Sequence, residues 1–165
     1  MYKRQNIYYE YYKSPVGKLL LVGDGVNIMK LGFPSGKMKL RRERNWTKDG
    51  LPFKQAICQL EAFFEGELKS FDLPLVVTGT SFRKLVWAGL MDIPYGETWS
   101  YSQLANHIGT PNACRAVGSA NGVNPIPIII PCHRVVGSDG SLTGFGGGLK
   151  TKKFLLELES KNVHR

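Results

Sequence analysis

Two side chains suited to nucleophilic chemistry, Cys132 and His133, are adjacent in the sequence Pro-Cys-His-Arg at residues 131–134. A thiol attacks only as its thiolate, and an ordinary cysteine is mostly protonated at neutral pH. A nucleophilic cysteine therefore needs a neighbouring base or a positive field, and a base is in turn oriented by a carboxylate. Glu157 and Glu159, near the C-terminus, are the candidate carboxylates. The pattern predicts a reactive cysteine at position 132.

The segment 126–136 is apolar except for Cys132, His133 and Arg134, and it predicts a buried strand. Consecutive residues of a regular strand point to opposite faces, so His133 would not contact the thiol directly. A bend at Pro131 or a bridging water would allow the His133 imidazole to interact with the Cys132 thiol. Polar groups are costly to bury without partners, so three of them in such a run indicate a function.

The other cysteines and histidines do not suggest a disulfide or a metal site. The chain has three cysteines, at 58, 114 and 132, and its three histidines all lie in the second half. An odd cysteine count without paired spacing is not typical of a disulfide framework, and adjacent Cys132 and His133 are poorly spaced for chelation. We expect no metal. Cys58 falls in a predicted helix and is expected to be a packed core residue.

The composition favours a polyanionic partner. The 165 residues carry 22 Lys and Arg against 13 Asp and Glu, a net charge of +9, and basic proteins associate with nucleic acids through counterion release. The densest basic run, residues 37–44, by itself predicts a solvated loop. No stretch reaches the roughly 20 apolar residues that span a bilayer. The polar N-terminus has no signal-peptide core, so a cytoplasmic location is expected.

The first half predicts strands followed by a helix. Residues 7–12, 18–22 and 26–33 are strand-like and are separated by turn signals, whereas residues 34–50 predict an irregular segment. From Phe53 the apolar residues recur at helical spacing, and Gly66 marks the helix end. A short apolar segment, 71–77, is expected to serve as strand and linker. We place the domain boundary after residue 78, giving domains 1–78 and 79–165.

The second half predicts mainly helices. The first is capped by Thr80 or Ser81, with an apolar face that comprises Phe82, Leu85, Val86 and Leu90. A short helix starting at Ser100 or Ser102 and a second over 113–121 predict a helix-turn-helix. The last helix, over 149–158, is expected to turn Phe154, Leu155 and Leu158 inward.

The helix over 113–121 consists largely of small residues: Ala113, Ala116, Gly118, Ser119 and Ala120. Small side chains let a backbone come close to a neighbour. That neighbour could be another helix, or it could be the groove of DNA.

Several motifs in a fixed order now identify a family resemblance. The segment 124–137, Asn-Pro-Ile-Pro-Ile-Ile-Ile-Pro-Cys-His-Arg-Val-Val-Gly, closely resembles the active site of the O6-alkylguanine-DNA alkyltransferases, also called methylated-DNA–protein-cysteine methyltransferases. The resemblance extends to segments 101–105, 115–122 and 143–149 and covers about residues 80–160 strongly. The first half is similar only through Ser-Pro-Val-Gly at 14–17 and its strand pattern.

The resemblance implies a fold and an activity. The fold would be a ribonuclease-H-like α/β N-terminal domain followed by a mainly α, winged-helix-like domain for DNA binding and catalysis. The activity would be irreversible transfer of a methyl or larger alkyl group from guanine O6, and often thymine O4, in double-stranded DNA to the cysteine. Each molecule would react once, as a monomer, without a cofactor or an obligate protein partner.

The resemblance also assigns catalytic roles. Cys132 matches the nucleophile, His133 the water-mediated base and Glu159 the carboxylate that orients it. Tyr101 matches a tyrosine that rotates the target phosphate and donates a hydrogen bond to guanine. Asn124 matches an asparagine that braces the active-site turn.

The remaining roles concern DNA and the base pocket. Arg115 matches an arginine that enters the duplex where the damaged base leaves, because O6 cannot be reached inside the stack. The other residues expected at the DNA are Ala116, Gly118, Ser119 and Arg134. The residues expected to line the base pocket are Val135, Phe145 and Gly146.

The chain departs from the family pattern at a few positions. Phe145 and Gly146 stand where the family often has Tyr and then Ser or Ala, and Cys114 stands where Ala is usual. Gly146 would widen the pocket loop and make it more flexible, so we hypothesise tolerance of larger adducts. The last helix reads Leu-Glu-Ser at 158–160 instead of His-Glu-Gly.

Three alternative functions would explain part of this pattern. An alkyltransferase-like binding module would recognise damaged DNA but would lack the nucleophile, which is present here as Cys132. A winged-helix regulator of transcription would bind a specific sequence and would not need the cysteine. A cysteine hydrolase would turn over repeatedly and would need an oxyanion hole.

Overall fold

The first half of the chain folds as a small sheet with one helix. The computed structural model describes residues 5–165, and the sheet contains β1 (Tyr8–Ser14), β2 (Gly17–Gly23), β3 (Ile28–Gly32) and β4 (Thr47–Lys48). The strand order is β3-β2-β1-β4, with β4 parallel to β1 and the other pairs antiparallel. The three predicted strands are confirmed. Segment 71–77 forms no continuous strand and pairs with the sheet only through a bridge between Leu75 and Ile28.

Helix α1 (Lys54–Phe64) packs on this sheet through Ala56, Leu60 and Phe63, which recur at helical spacing. It ends before Gly66, as predicted, where a φ of 77° favours glycine. Cys58 is exposed, so the expectation that it packs in the core was wrong. Position 58 lies about 200° around the helix from Ala56, at 100° per residue, and this turns it to solvent.

The second half is mainly helical, as predicted. Helix α2 (Ser81–Met91) is capped by the Thr80 hydroxyl, which accepts a hydrogen bond from the Arg83 amide. It buries Val86, Trp87 and Leu90, whereas Leu85 is 43% exposed, contrary to its predicted place on the apolar face.

The predicted helix-turn-helix consists of α3 (Tyr101–His107) and α4 (Cys114–Gly122). A capping box between Ser100 and Gln103 starts α3. The indole Nε1 of Trp87 in α2 donates to the carbonyl of Ala120 at 2.9 Å, and this bond anchors α4 on the core.

A two-stranded parallel pair comprises β5 (Trp99–Ser100) and β6 (Val135–Val136), and the last helix, α5 (Leu149–Asn162), is hydrogen-bonded to β6 through Lys152 and the Val135 carbonyl. Its buried residues are Lys152, Leu155, Glu159 and Asn162. Leu155 is inward as predicted, but Phe154 is 37% exposed. The inward face therefore runs through 152, 155 and 159, and polar side chains occupy most of it.

The apolar run 126–136 is not the continuous strand that its composition predicted. Only β6 is strand, and Cys132–Arg134 form a single turn of 3₁₀ helix. Pro127 and Pro131 supply no amide for a ladder. The side chain of Asn124 satisfies two backbone groups of the run instead.

The two halves share one apolar core. Buried residues of the sheet and α1, such as Leu19 and Phe63, belong to the same cluster as Val86, Leu104 and Val117 of the helical half. The amide of Leu31 in β3 also donates to the carbonyl of Pro125 at 2.9 Å. Within residues 5–165, no helix is both long enough and apolar enough to cross a membrane.

Candidate active site

Cys132 begins the 3₁₀ turn and is fully buried. Its amide donates to the carbonyl of Ile130 at 2.8 Å, and the Arg134 amide donates to the carbonyl of Pro131 at 3.0 Å. Burial raises the pKa of the Cys132 thiol to about 11, while the Asn124 side chain and the Lys152 charge act to lower it. The thiol is therefore protonated at neutral pH in this conformation, and a base must accept its proton before it can attack.

Asn124 braces the loop that leads into this turn. Its Nδ2 donates to the carbonyl of Ile130 at 2.8 Å, and its Oδ1 accepts from the amide of Ile126 at 3.0 Å. Between them, Ile128 has a φ of 73°, a left-handed conformation that is strained for a β-branched residue. Such strain persists only where the surroundings over-determine the backbone, and Asn124 supplies two of the bonds that do so.

His133 and Glu159 form a buried pair next to Cys132. His133 Nε2 lies 2.7 Å from Glu159 Oε1, and both side chains are almost completely inaccessible to solvent. A carboxylate can only accept, so Nε2 carries the hydrogen and Nδ1 of a neutral ring has a free lone pair. His133 Nδ1 is buried and has no hydrogen-bond partner among the described residues. The arrangement leaves one basic nitrogen free for a proton from the nucleophile.

Burial keeps the histidine neutral, whereas hydrogen bonds and neighbouring positive charge keep the glutamate ionised. Burial lowers the pKa of His133 below its usual 6.5, against the opposing influence of Glu159. For Glu159, burial raises the pKa, but the hydrogen bond and charge of His133 and those of Arg134 outweigh it and bring it to about 2. At neutral pH, His133 is therefore a free base held by a fixed carboxylate.

Arg134 belongs to this network and is not available to DNA. Its Nε donates to both carboxylate oxygens of Glu159 at 3.2 and 2.9 Å, Nη2 donates to Oε1 at 2.9 Å, and Nη1 donates to the carbonyl of Ile93 at 2.7 Å. The side chain is only 8% exposed. The expectation that Arg134 contacts DNA was wrong because its guanidinium is committed to the carboxylate that holds His133.

Of the two candidate carboxylates, the structure brings only Glu159 to the site. Glu157 is 67% exposed and lies 3.7 Å from Lys153 on the solvent side of α5. Glu159 also accepts from the amide of Gly96 at 3.2 Å. The Glu159 carboxylate thus accepts hydrogen bonds from three residues: Gly96, His133 and Arg134.

Lys152 is a site residue that the sequence reasoning missed. It is fully buried on α5, and its Nζ donates to the carbonyls of Val135 and Thr143, the latter at 2.9 Å. Burial lowers its pKa, and the neighbouring Cys132 acts in the opposite direction. The signal was present in the sequence, because positions 152, 155 and 159 fall on one helical face.

Residues expected at the DNA lie together on the outer face of α4. Arg115, Ala116 and Ser119 are exposed and Gly118 is half-buried, whereas Val117 and Ala120 face the core. Cys114, at the start of the helix, has its Sγ 3.4 Å from the Ser102 hydroxyl. The exposed face has only short side chains apart from Arg115, so its backbone can approach a partner closely.

A cavity of about 460 Å³ lies between α4 and the loop 144–148. Its walls include Phe145 and Gly146, two of the residues expected to line the base pocket, and also Tyr101 and Gly118. The Tyr101 hydroxyl accepts a hydrogen bond from Thr143 Oγ1 at 3.2 Å. The volume falls within the ~300–1,000 Å³ typical of small-molecule sites.

Val135 and Cys132 are not among the residues that line this cavity. Both are fully buried, and the carbonyl of Val135 accepts from Lys152. The expectation that Val135 lines the pocket therefore does not hold in this conformation.

The N-terminal half closes one side of the same cavity. Gly36 and Lys37 line it, and the Met38 amide donates to the carbonyl of Gly146 at 2.9 Å. A Cβ at position 146 would lie 2.1 Å from Met38 Cγ. The widening expected from Gly146 is not found, because Met38 fills the space that a side chain would occupy.

The described residues contain no cluster of three or more His, Cys, Asp or Glu side chains that could hold a metal ion. The site combines a thiol, an imidazole, a carboxylate and two buried cations, Arg134 and Lys152.

Comparison with known proteins covers nearly the whole chain. A family model described as 6-O-methylguanine DNA methyltransferase, ribonuclease-like domain, matches residues 7–77. A second, described as 6-O-methylguanine DNA methyltransferase, DNA binding domain, matches residues 81–161.

Similar proteins and structures agree with these matches. The methylated-DNA–protein-cysteine methyltransferase of Methanosarcina barkeri is 50% identical over 95% of this chain and 99% of its own. That of Mycobacterium tuberculosis is 50% identical over 95% and 94%. The crystal structure of Mycobacterium tuberculosis OGT in complex with DNA has a TM-score of 0.88 and 48% identity, covering 94% of both chains. The chain therefore belongs to the 6-O-methylguanine DNA methyltransferase family and has its two-domain fold.

Proposed function

We propose that this protein repairs DNA by direct reversal, taking a methyl or larger alkyl group from guanine O6, and from thymine O4, onto Cys132. The observation that carries the proposal is the geometry at Cys132. A buried thiol adjoins a histidine whose Nε2 is held by Glu159 at 2.7 Å and whose Nδ1 is unpaired. Relatives at 50% identity bear the methyltransferase name, and this supports the same reaction here.

The proposed transfer is a substitution at the alkyl carbon. The thiol proton passes through a bridging water to His133 Nδ1, and the resulting imidazolium is stabilised by Glu159. The thiolate forms an S–C bond as the C–O6 bond breaks, and the electron pair leaves with the guanine. A hydrogen bond from the Tyr101 hydroxyl to the purine stabilises the departing base. The thioether product has no route back, so each molecule reacts once and no cofactor is consumed.

The proposed DNA contact uses the exposed face of α4. Ala116, Gly118 and Ser119 allow the helix backbone to approach the duplex, and Arg115 enters the stack where the damaged nucleotide leaves. The extruded base enters the cavity beside Phe145 and Gly146. Unstacking costs a few kcal/mol, less for a damaged base, and this favours extrusion of the lesion.

Several finer assignments form part of the proposal. The N-terminal domain, 1–78, is ribonuclease-H-like. In the C-terminal domain, 79–165, α3 and α4 act as a winged-helix-like reader, with the loop after β6 in the place of a wing. The partner is double-stranded DNA containing O6-alkylguanine. A cytoplasmic location, a monomeric state and independence from other proteins stay predictions.

Intact-protein mass spectrometry tests the reaction. The protein is mixed with a duplex that contains one O6-methylguanine, and we expect a mass gain of one methyl group that maps to Cys132. Cys132→Ser is the matched control and should gain nothing. An unchanged mass of the wild-type protein would contradict the proposal, and repeated turnover without a mass change would indicate a cysteine hydrolase.

A further inference from the structure

A groove lined by lysines leads from the base cavity onto the N-terminal domain. It has a volume of about 310 Å³ and lies between β3, the loop 37–40 and the segment 122–125. Its basic residues are Lys30, Lys37 and Lys39. It shares Lys37 and Gly122 with the base cavity, so the two cavities adjoin each other. We call it the lysine groove.

The positive charge of the lysine groove is not neutralised by the protein. In the part of the chain from residue 5 onward, none of the three lysines forms a salt bridge, and neither cavity has an Asp or Glu in its wall. All three lysines are exposed. Lys30 Nζ lies 5.8 Å from the Trp46 ring centroid, a contact that orients the ammonium without cancelling its charge.

The lysine groove is held in a fixed position relative to α4. Gly122 ends α4 and lines both cavities. Three residues later, the carbonyl of Pro125 accepts from the Leu31 amide at 2.9 Å, next to Lys30 on β3. The Met38 amide, between Lys37 and Lys39, donates to the carbonyl of Gly146 at 2.9 Å. Backbone hydrogen bonds thus hold the lysines next to the surface that faces DNA.

We propose that the lysine groove binds the backbone phosphates that flank the extruded nucleotide, so that the N-terminal domain takes a direct part in DNA binding. The inference rests on the proposed function, because it requires a duplex docked on α4. Three unpaired ammonium groups beside a base cavity suit consecutive phosphates, since each contact releases a condensed counterion. They carry no base recognition, as expected for a repair protein that must act in any sequence.

The test uses Lys30→Gln with Lys39→Gln, two groove residues that do not line the base cavity. Affinity for an O6-methylguanine duplex is measured across a salt series. At roughly 0.9 per phosphate contact, the slope of log K against log salt should fall by about 1.8. Binding near 0.1 M salt should weaken about tenfold or more. The matched control, Lys54→Gln with Lys161→Gln, removes the same charge from exposed positions outside both cavities and should keep the wild-type slope.

Transfer from the free base O6-benzylguanine separates DNA binding from chemistry. This probe has no phosphates, so the double variant should alkylate Cys132 at the wild-type rate. If the double variant has the same salt slope as the control, the proposal that the lysine groove binds phosphates is overturned. The proposal is also overturned if transfer from the free base is slowed as much as DNA binding is weakened. A wild-type protein that gains no alkyl group defeats the proposed function instead. If the double variant does not fold, the two single variants are measured instead. The salt slope of each should be smaller than that of the wild type by about 0.9, and an unchanged slope in both overturns the inference.

Discussion

At the scale of the residue, the site combines a thiol that burial keeps protonated with groups that can accept its proton or favour its thiolate. Burial raises the pKa of Cys132 to about 11, and Asn124 and Lys152 oppose that effect. The thiol is thus inert until a base accepts its proton, which limits side reactions of a protein that can react only once. His133 is the proposed base, and Glu159, itself held by Arg134, accepts the hydrogen bond from its Nε2.

Lys152 is expected to support the thiolate through its charge. In Lys152→Gln, the pKa of Cys132 should rise further, and transfer at neutral pH should slow about tenfold for each unit of that rise. The free energy of unfolding should change little by comparison with the rate, because the loss of the lysine's hydrogen bonds is offset by removal of the desolvation cost of a buried cation. The pH dependence of transfer from O6-benzylguanine measures the effect. Lys152→Arg keeps the charge and should recover part of the rate, and a Lys152→Gln profile that superposes on the wild type would exclude this role.

The buried His133–Glu159 pair predicts loss of stability in acid. Because the folded pKa of His133 is below 6.5, the unfolded chain binds its proton first, and stability decreases as pH falls below 6.5. The folded pKa of Glu159, about 2, lies below the usual 4.5, so a second loss occurs as pH falls from 4.5 towards 2. Melting temperatures measured from pH 8 to pH 3 should show both losses.

The matched variants for this prediction are Glu159→Gln and Glu157→Gln. Removing the buried carboxylate leaves Arg134 unpaired and should cost about 3–5 kcal/mol at pH 7. It should also flatten the pH dependence below pH 4.5. Glu157 is 67% exposed, so its variant should behave as wild type within about 0.5 kcal/mol. Equal acid sensitivity in both variants would show that Glu159 is not the group responsible.

At the scale of the element, the loop 124–130 is the part that presents the cysteine. Its apolar composition is that of a strand, but two prolines and the Asn124 bonds shape it into a braced loop ending in a 3₁₀ turn. Because Cys132 lies in this turn, its side chain and that of His133 do not point to opposite faces as consecutive strand residues would. The turn thereby places His133 on Glu159, with Nε2 2.7 Å from the carboxylate.

Asn124→Ala is expected to loosen this element. It leaves the Ile126 amide buried without a partner, at about 1–3 kcal/mol, removes one of the two hydrogen bonds to the Ile130 carbonyl, and frees the strained backbone at Ile128. Both thermal stability and the rate of methyl transfer should fall, and hydrogen exchange should increase within 126–132. Asn112→Ala, at an exposed position, is the control. A stable variant with normal exchange in that segment would contradict the bracing role.

At the scale of the whole molecule, the N-terminal domain contacts both segments that surround the reactive cysteine. The Leu31 amide binds Pro125 at the base of the braced loop, and the Met38 amide binds Gly146 in the pocket loop. Phe33 packs edge-on against Phe145, with ring centroids 5.8 Å apart. The domain therefore helps to shape the pocket.

The contact between Met38 and Gly146 predicts coupling between the domains. Gly146→Ser should destabilise the protein by about 1–3 kcal/mol, because the new Cβ would overlap Met38. Met38→Ala creates the missing space, so the double variant should be more stable than the sum of the single variants predicts. Denaturant unfolding of all four proteins measures the coupling. Additive effects would show that the loop moves away freely.

The residues with local signals were predicted from the sequence. The sequence Cys132-His133 predicted a nucleophile and its base, and the family resemblance predicted that Glu159 binds His133, which the structure shows. The first three strands and all five helices were also predicted, because hydrophobic period, turn residues and caps act within a few positions along the chain. The family resemblance rested on such local motifs.

Long-range contacts decided the rest. Arg134 was expected at the DNA but binds Glu159, 25 positions away, and Met38 fills the space beside Gly146. Lys152 and Cys58 had environments opposite to those expected from their residue types, a buried cation and an exposed thiol. Burial and charge pairing depend on which distant segments meet, and a local pattern carries no record of that. The sequence by itself therefore determined the chemistry at Cys132, and only the tertiary structure decided which groups suppress, orient and enclose it.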